Sequence, residues 1–273
     1  MFQYPALLHP PPLAVILTKM HNPTRRNRNI GTSKQGFGQN NKLTIPESSG
    51  SLKEYYERLI NYRKIKKVIN GHLFIFIVEK TRNNSMHSCS ISDIETIIEQ
   101  IPVSDYADLK FIVLRQPKRK EELLSPTWGR LIYSYEFENE FYPAIILDAI
   151  DYSTMFKWSK KLSVESQKEL ERLINDGHEI INNGKNYIAE YKVENVRNTQ
   201  LYRTFIHEIG HYVHYLEVVE RPSKENEDEV EWEKRYNYYF SIPQIEKEKF
   251  AHKYTETIIG KLKKEKIIPF EPK

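Results

Sequence analysis

Apolar and polar positions fall into two clear rhythms from Ser51 onward, and into none before it. Helical spacing runs through Leu52, Tyr55, Tyr56, Leu59 and Ile60. It returns over residues 92–101, which Pro102 should stop, and over residues 163–176, which Gly177 should close. It appears last over residues 244–264. Residues 72–78, HLFIFIV, form a continuous run of β-formers, the mark of an interior strand, and residues 109–115 form a second. Residues 131–137 alternate instead. Tyr133, Tyr135 and Phe137 fall on one face, Ser134, Glu136 and Glu138 on the other, as in a half-exposed strand. Residues 144–150 are its expected antiparallel neighbour. Behind Pro222, the charged residues 222–236 predict a loop leading into a polar helix. Strands mostly precede helices. The expected class is therefore α+β with a mixed or antiparallel sheet, rather than a doubly wound one.

Residues 1–50 show no sustained periodicity and are rich in Pro, Asn, Ser and Gly, which predicts a flexible extension before a folded domain over residues 51–273. Charge sharpens that boundary. Of 41 Lys/Arg and 37 Asp/Glu, the first 50 residues hold six and one, which leaves 35 and 36 for the rest. The cluster TRRNRN at residues 24–29 offers a contact for an anionic partner, but it is read first as a solvated tail. A nearly neutral body argues against a nucleic-acid-binding domain. The apolar patches at the start are interrupted by Pro5 and by Pro10, Pro11 and Pro12, with no basic residue before them, so a secretory signal is not expected. No stretch approaches the roughly 18 apolar residues of a membrane span.

One cysteine, Cys89, permits no disulfide within the chain, which fits a reducing, cytoplasmic setting. It also excludes a cysteine-rich zinc module, leaving His, Asp and Glu as the donors for any metal.

Such donors concentrate in FIHEIGHYVH, residues 205–214, which holds three of the nine histidines. On a helix at 100° per residue, with His207 at zero, His211 lies near about 40° and His214 near about 340°. Leu201, Phe205, Ile209, Tyr212, Leu216 and Val219 centre near about 170° on the same wheel, and Val218 is the exception. The histidines thus stand opposite the face that must pack. Two readings follow, a metal site or a solvent-exposed stripe. Residues i and i+4 share one side of a helix, so His207 and His211 can grip one Zn²⁺. Glu208 points beside such an ion, where a carboxylate can hold a water without displacing it. Gly210 costs a helix about 1 kcal/mol relative to alanine. Its presence implies the close approach of another backbone or a ligand.

His207-Glu208-Ile209-Gly210-His211 resembles the active-site helix of the zincin metallopeptidases. The resemblance is strong over residues 201–216 and weak elsewhere. It implies a zincin-like fold with an active-site helix against the sheet and a C-terminal helical part. It also implies a zinc ion, a peptide or protein substrate, and Glu208 as general base. The metzincin pattern fails, because its glycine position is His214 and its last histidine position is Glu217. The gluzincin arrangement instead takes a glutamate from a later helix. There Glu246 and Glu248 are available, and helical phase separates them. With Phe250 at zero, the apolar residues centre near about 80°, Glu248 falls near about 160° and Glu246 near about 320°. Glu248, at the margin of the buried face, is the expected third ligand; the rival reading pairs it with a lysine. Small Ala251 would let this helix approach the histidine helix closely. Tyr238, Tyr239, Tyr254 and His252 stand as unranked candidates to polarise a substrate carbonyl.

The expected function is zinc-dependent peptide hydrolysis, with His207, His211 and Glu248 as ligands. The alternatives are a zincin-like binding module without peptidase activity, and a DNA-associated regulator acting through the tail. Neither nucleic acid nor membrane is expected as a partner.

Overall fold

The computed structural model describes residues 54–124, 127–223 and 227–273. The expectations for residues 1–50, including the basic cluster at 24–29 and the domain boundary, lie outside these.

The helical spacing beginning at Leu52 does not become a helix among the described residues. Tyr55–Glu57 makes a single 3₁₀ turn, and the chain then enters strand β1, Tyr62–Ile69. β1 turns at Asn70 and Gly71 into β2, His72–Glu79. Both turn residues have positive φ, 50° and 78°, the geometry of a two-residue hairpin of type I′. A short β3, Ser85–Met86, is followed by helix α1, Ile91–Ile98, and by α2, Val103–Tyr106. Ser90 and Asp93 close a reciprocal capping box at the start of α1. Next come β4, Phe111–Arg115, the short helix α3, Arg119–Leu124, and the hairpin of β5, Gly129–Phe137, with β6, Glu140–Asp148.

Five strands form one mixed sheet in the order β1-β2-β4-β6-β5. β2, β4 and β6 run parallel, and the two outer pairs are antiparallel. The class is therefore α+β with a mixed sheet, as the order of elements predicts. β1 and β5 are the edges. β1 carries Lys64, Lys66 and Lys67, a charge pattern that discourages edge-to-edge pairing. Phe74, Phe76, Ile112, Leu114, Ile145 and Leu147 point to one face, which carries the main core. Ile75, Ile77, Phe111, Val113, Ala144 and Ile146 point to the other. Burial on both faces explains why β2 reads as a continuous apolar run.

β5 does pair antiparallel with β6, but its side chains do not keep one phase. Register slips between Ile132 and Tyr135, so that Tyr133 and Ser134 face the single residue Pro143. Proline has no amide to give a ladder, and a bulge is where a strand tolerates it. The extra residue flips the strand. Leu131 and Tyr133 pack on the main core, while Tyr135 and Phe137 pack on the opposite face. The expected shared face of Tyr133, Tyr135 and Phe137 is thereby corrected.

The remaining small strands were not legible as strands. β7, Ile150–Asp151, pairs with β3. β8, Met155–Ser159, β9, Ile181–Asn182, and β10, Asn186–Glu190, make a separate antiparallel sheet in the order β8-β10-β9. Between them lies α4, Val164–Asn175, which Gly177 follows at φ +99°. A long helical run then begins with α5, Val193–Asn198. It continues through a π-helical turn, Thr199–Phe205, into α6, Ile206–Tyr215, and a second π turn, Leu216–Glu220. Asn198 is thus inside the helix and not its cap; Lys192 holds the capping position. The chain ends with α7, Glu229–Ser241, and α8, Gln244–Lys264, with the latter's bounds as the periodicity predicts. No helix among the described residues is long and apolar enough to cross a membrane.

One buried ion pair ties this long helix to the sheet's covering layer. Arg197 meets Asp93 of α1 through two bonds of 3.1 and 2.8 Å, and it also donates to the carbonyl of Phe270. Asp93→Asn should destabilise the fold by about 3–5 kcal/mol, because it strands the buried guanidinium. Denaturant unfolding measures this; a change within error would mean that the pair adds nothing.

Candidate metal centre

The long helix presents Leu201, Phe205, Ile209, Tyr212, Leu216 and Val219 to the core, as its periodicity requires. Its opposite side is not a solvent stripe. α8 packs along α6, and the side chains of His207 and His211 are only 14% and 12% exposed. The contact is possible because Gly210 lacks a side chain. A Cβ there would lie 3.0 Å from Ala251 Cα, 3.1 Å from the Ala251 carbonyl oxygen and 3.2 Å from Tyr254 Cβ. Gly210→Ala should therefore lose more by pushing the helices apart than it gains in helix propensity. Overpacking of this kind costs about 1–3 kcal/mol, visible as a lower melting temperature. An unchanged or raised melting temperature would show that α8 yields freely.

Across that contact Glu248, near the start of α8, reaches both histidines. Its Oε2 lies 3.1 Å from His207 Nε2 and its Oε1 lies 3.5 Å from His211 Nε2. Two ligand atoms at about 2.0–2.1 Å from one tetrahedral ion are about 3.3 Å apart. The two observed separations lie near that edge, each through a different Glu248 oxygen, and imidazole and carboxylate are suitable metal donors. Among the described residues, the group whose ligand atoms all lie within 4.8 Å of one another is His207, Glu248 and His252, without His211. The bonds from His207 and His211 hold the Glu248 carboxyl far below the usual carboxylate range. No lysine pairs with it among the described contacts; Gln244 donates to its Oε1 at 2.7 Å. Glu246 is exposed.

Glu208 lies beside this cluster. Its Oε2 accepts the backbone N–H of Leu131 at 2.8 Å, from the outer strand β5. Burial raises its carboxyl above the ordinary range, against the opposing pull of His211, His207 and the Leu131 amide.

His214 is not part of the cluster. Its ring stacks on Phe250 at 4.4 Å, within the packing of α6 against α8. His252 is the residue that helical phase did not rank. It lies one turn beyond Glu248, its ring 4.6 Å from that of His207. Potential ligand atoms of His207, Glu248 and His252 all fall within 4.8 Å of one another. The sign was the i, i+4 spacing of Glu248 and His252, the same spacing as His207 and His211. Burial is the largest influence on His252, followed by His207 and Arg172, and together they lower its pKa to about 4. The three tyrosines stand differently. Tyr239 OH bonds Tyr133 OH at 2.6 Å and the His211 carbonyl at 3.2 Å. Tyr254 OH bonds Asp105 at 3.0 Å, and Tyr238 is exposed.

No family model matches the chain, and neither a curated protein nor a solved structure matches it.

Proposed function

We propose that this chain is a zinc-dependent peptidase of the zincin type, with the gluzincin ligand set His207, His211 and Glu248. One observation carries the reading. A carboxylate from a separate helix meets the Nε2 atoms of both histidines of H-E-x-x-H at ligand spacing. When bound, zinc would polarise the substrate carbonyl and lower the pKa of water toward about 7. The chain's own residues handle the proton. Glu208 accepts it as the water oxygen bonds to the carbonyl carbon, and returns it to the amine nitrogen as the C–N bond breaks. The Leu131 amide holds one carboxylate oxygen of Glu208, leaving the other for the proton. β5 is a sheet edge beside this carboxylate, a place where an extended peptide can add as a further strand.

The second reading is a zincin-like module without peptidase activity. The proximity of His252 to His207 and Glu248 favours it, since a fourth protein ligand added to the proposed three would make a closed, structural zinc site. Metal content by mass spectrometry, paired with mass-spectrometric detection of cleavage in a mixed-peptide substrate, tests both. One zinc per chain with cleavage supports the enzyme, and zinc without cleavage supports the module. Absence of zinc from a protein refolded in its presence would overturn the metal reading.

A further inference from the structure

We infer that Arg172 keeps His252 off the metal, so that the coordination position which a fourth side chain would fill stays open. The inference rests on the zinc site proposed above and concerns what separates an open site from a closed one. Arg172, in the last turn of α4, places Nη2 3.0 Å from His252 Nε2. A guanidinium can only donate, so Nε2 of His252 accepts. An imidazole nitrogen has one in-plane lone pair, and here Arg172 occupies it. In the neutral ring the proton then sits on Nδ1, which has no lone pair to offer. Neither nitrogen of His252 is available to a cation while this bond holds.

Arg172 is itself held. Its Nη1 lies 3.5 Å from Glu169 Oε2, one turn earlier on α4. Glu169 is gripped by Arg203 Nη1 at 3.0 and 3.1 Å, and Arg203 Nε bonds Asp176 at 2.8 Å. Arg203 belongs to the π turn that leads into the histidine helix. The positioning of Arg172 is thus tied to the same helix that carries His207 and His211. Its charge adds a second effect, because a cation beside His252 repels a metal drawn toward that ring. Arg172 is a positioning residue and touches neither metal nor substrate.

The test uses the full chain loaded with zinc or with cobalt(II). Zinc affinity is read by competition with a chelator, and the cobalt visible spectrum reports ligand number and its response to added azide. Arg172→Met should bind zinc more tightly, by about tenfold, and its cobalt spectrum should lose the azide response as His252 closes the site. The double variant Arg172→Met/His252→Phe should return both readouts to those of the parent. His252→Phe alone should leave zinc affinity unchanged. An unmoved affinity and azide response in Arg172→Met would overturn the inference. So would a gain that persists in the double variant, which would be an effect of charge alone, or a large loss in His252→Phe, which would make that histidine a ligand already. A parent chain that binds no zinc overturns this inference together with the proposed function; a zinc-binding parent with an unmoved Arg172→Met overturns this inference alone.

Discussion

Glu208→Gln is expected to retain zinc and to lose peptide hydrolysis by a factor of about 10²–10⁴, the usual contribution of a general base. The substitution is nearly isosteric. Its amide oxygen can still accept the Leu131 N–H that now bonds Oε2, so the outer strand and the helix should keep their spacing. What it removes is the capacity to take a proton from the attacking water. A half-buried position and a raised pKa suit that task, since a carboxylate that binds protons more readily than usual is a better base near neutrality. Zinc content and cleavage of a mixed-peptide substrate should be measured on the same preparation. Undiminished cleavage excludes Glu208 as the base, and loss of zinc would make it a structural partner of the ligands.

Glu248→Gln and Glu246→Gln should part company sharply. Glu248 presents one oxygen to each histidine, at 3.1 and 3.5 Å, whereas Glu246, two residues earlier, is exposed. Loss of a hydrogen-bonding partner behind a metal ligand already costs about 10–100-fold in affinity; loss of the ligand itself should cost more. Glu246→Gln should change stability by no more than about 0.5 kcal/mol and zinc affinity not at all. Chelator competition on the two variants decides the matter. Equal affinities would remove Glu248 from the ligand set while leaving the histidine pair in place.

Much of the candidate site was legible because helix geometry is periodic and short-ranged. The i, i+4 pair of histidines, the phase of Glu248 and the small residues Gly210 and Ala251 each depend on one helix at a time, and packing α6 against α8 brings them together. What was not legible depended on partners. Tyr55, Tyr56, Leu59 and Ile60 satisfy a helical wheel, yet the following residues pair with β2 across the Asn70-Gly71 turn, and that dipeptide is itself a hairpin signal. The flip of β5 after Tyr133 originates in Pro143 on a different strand, so alternation within β5 could not reveal it. The long helix begins at Val193, upstream of the start expected from the sequence, which is how Asn198 comes to lie inside it. β9 has only two residues, and β8 and β10, as long as β4, bury only Ala189 and so carry no continuous apolar run.

The contact between Gly210 and Ala251 has a thermodynamic meaning for the centre it supports. All three proposed donors stand on helices whose backbones already touch, so no loop has to be gathered when an ion arrives. The conformational entropy of assembling the donors is lost during folding instead. Metal association is then preorganised: zinc should raise the melting temperature while leaving the amide-exchange pattern of the two helices largely as it is in the metal-free chain.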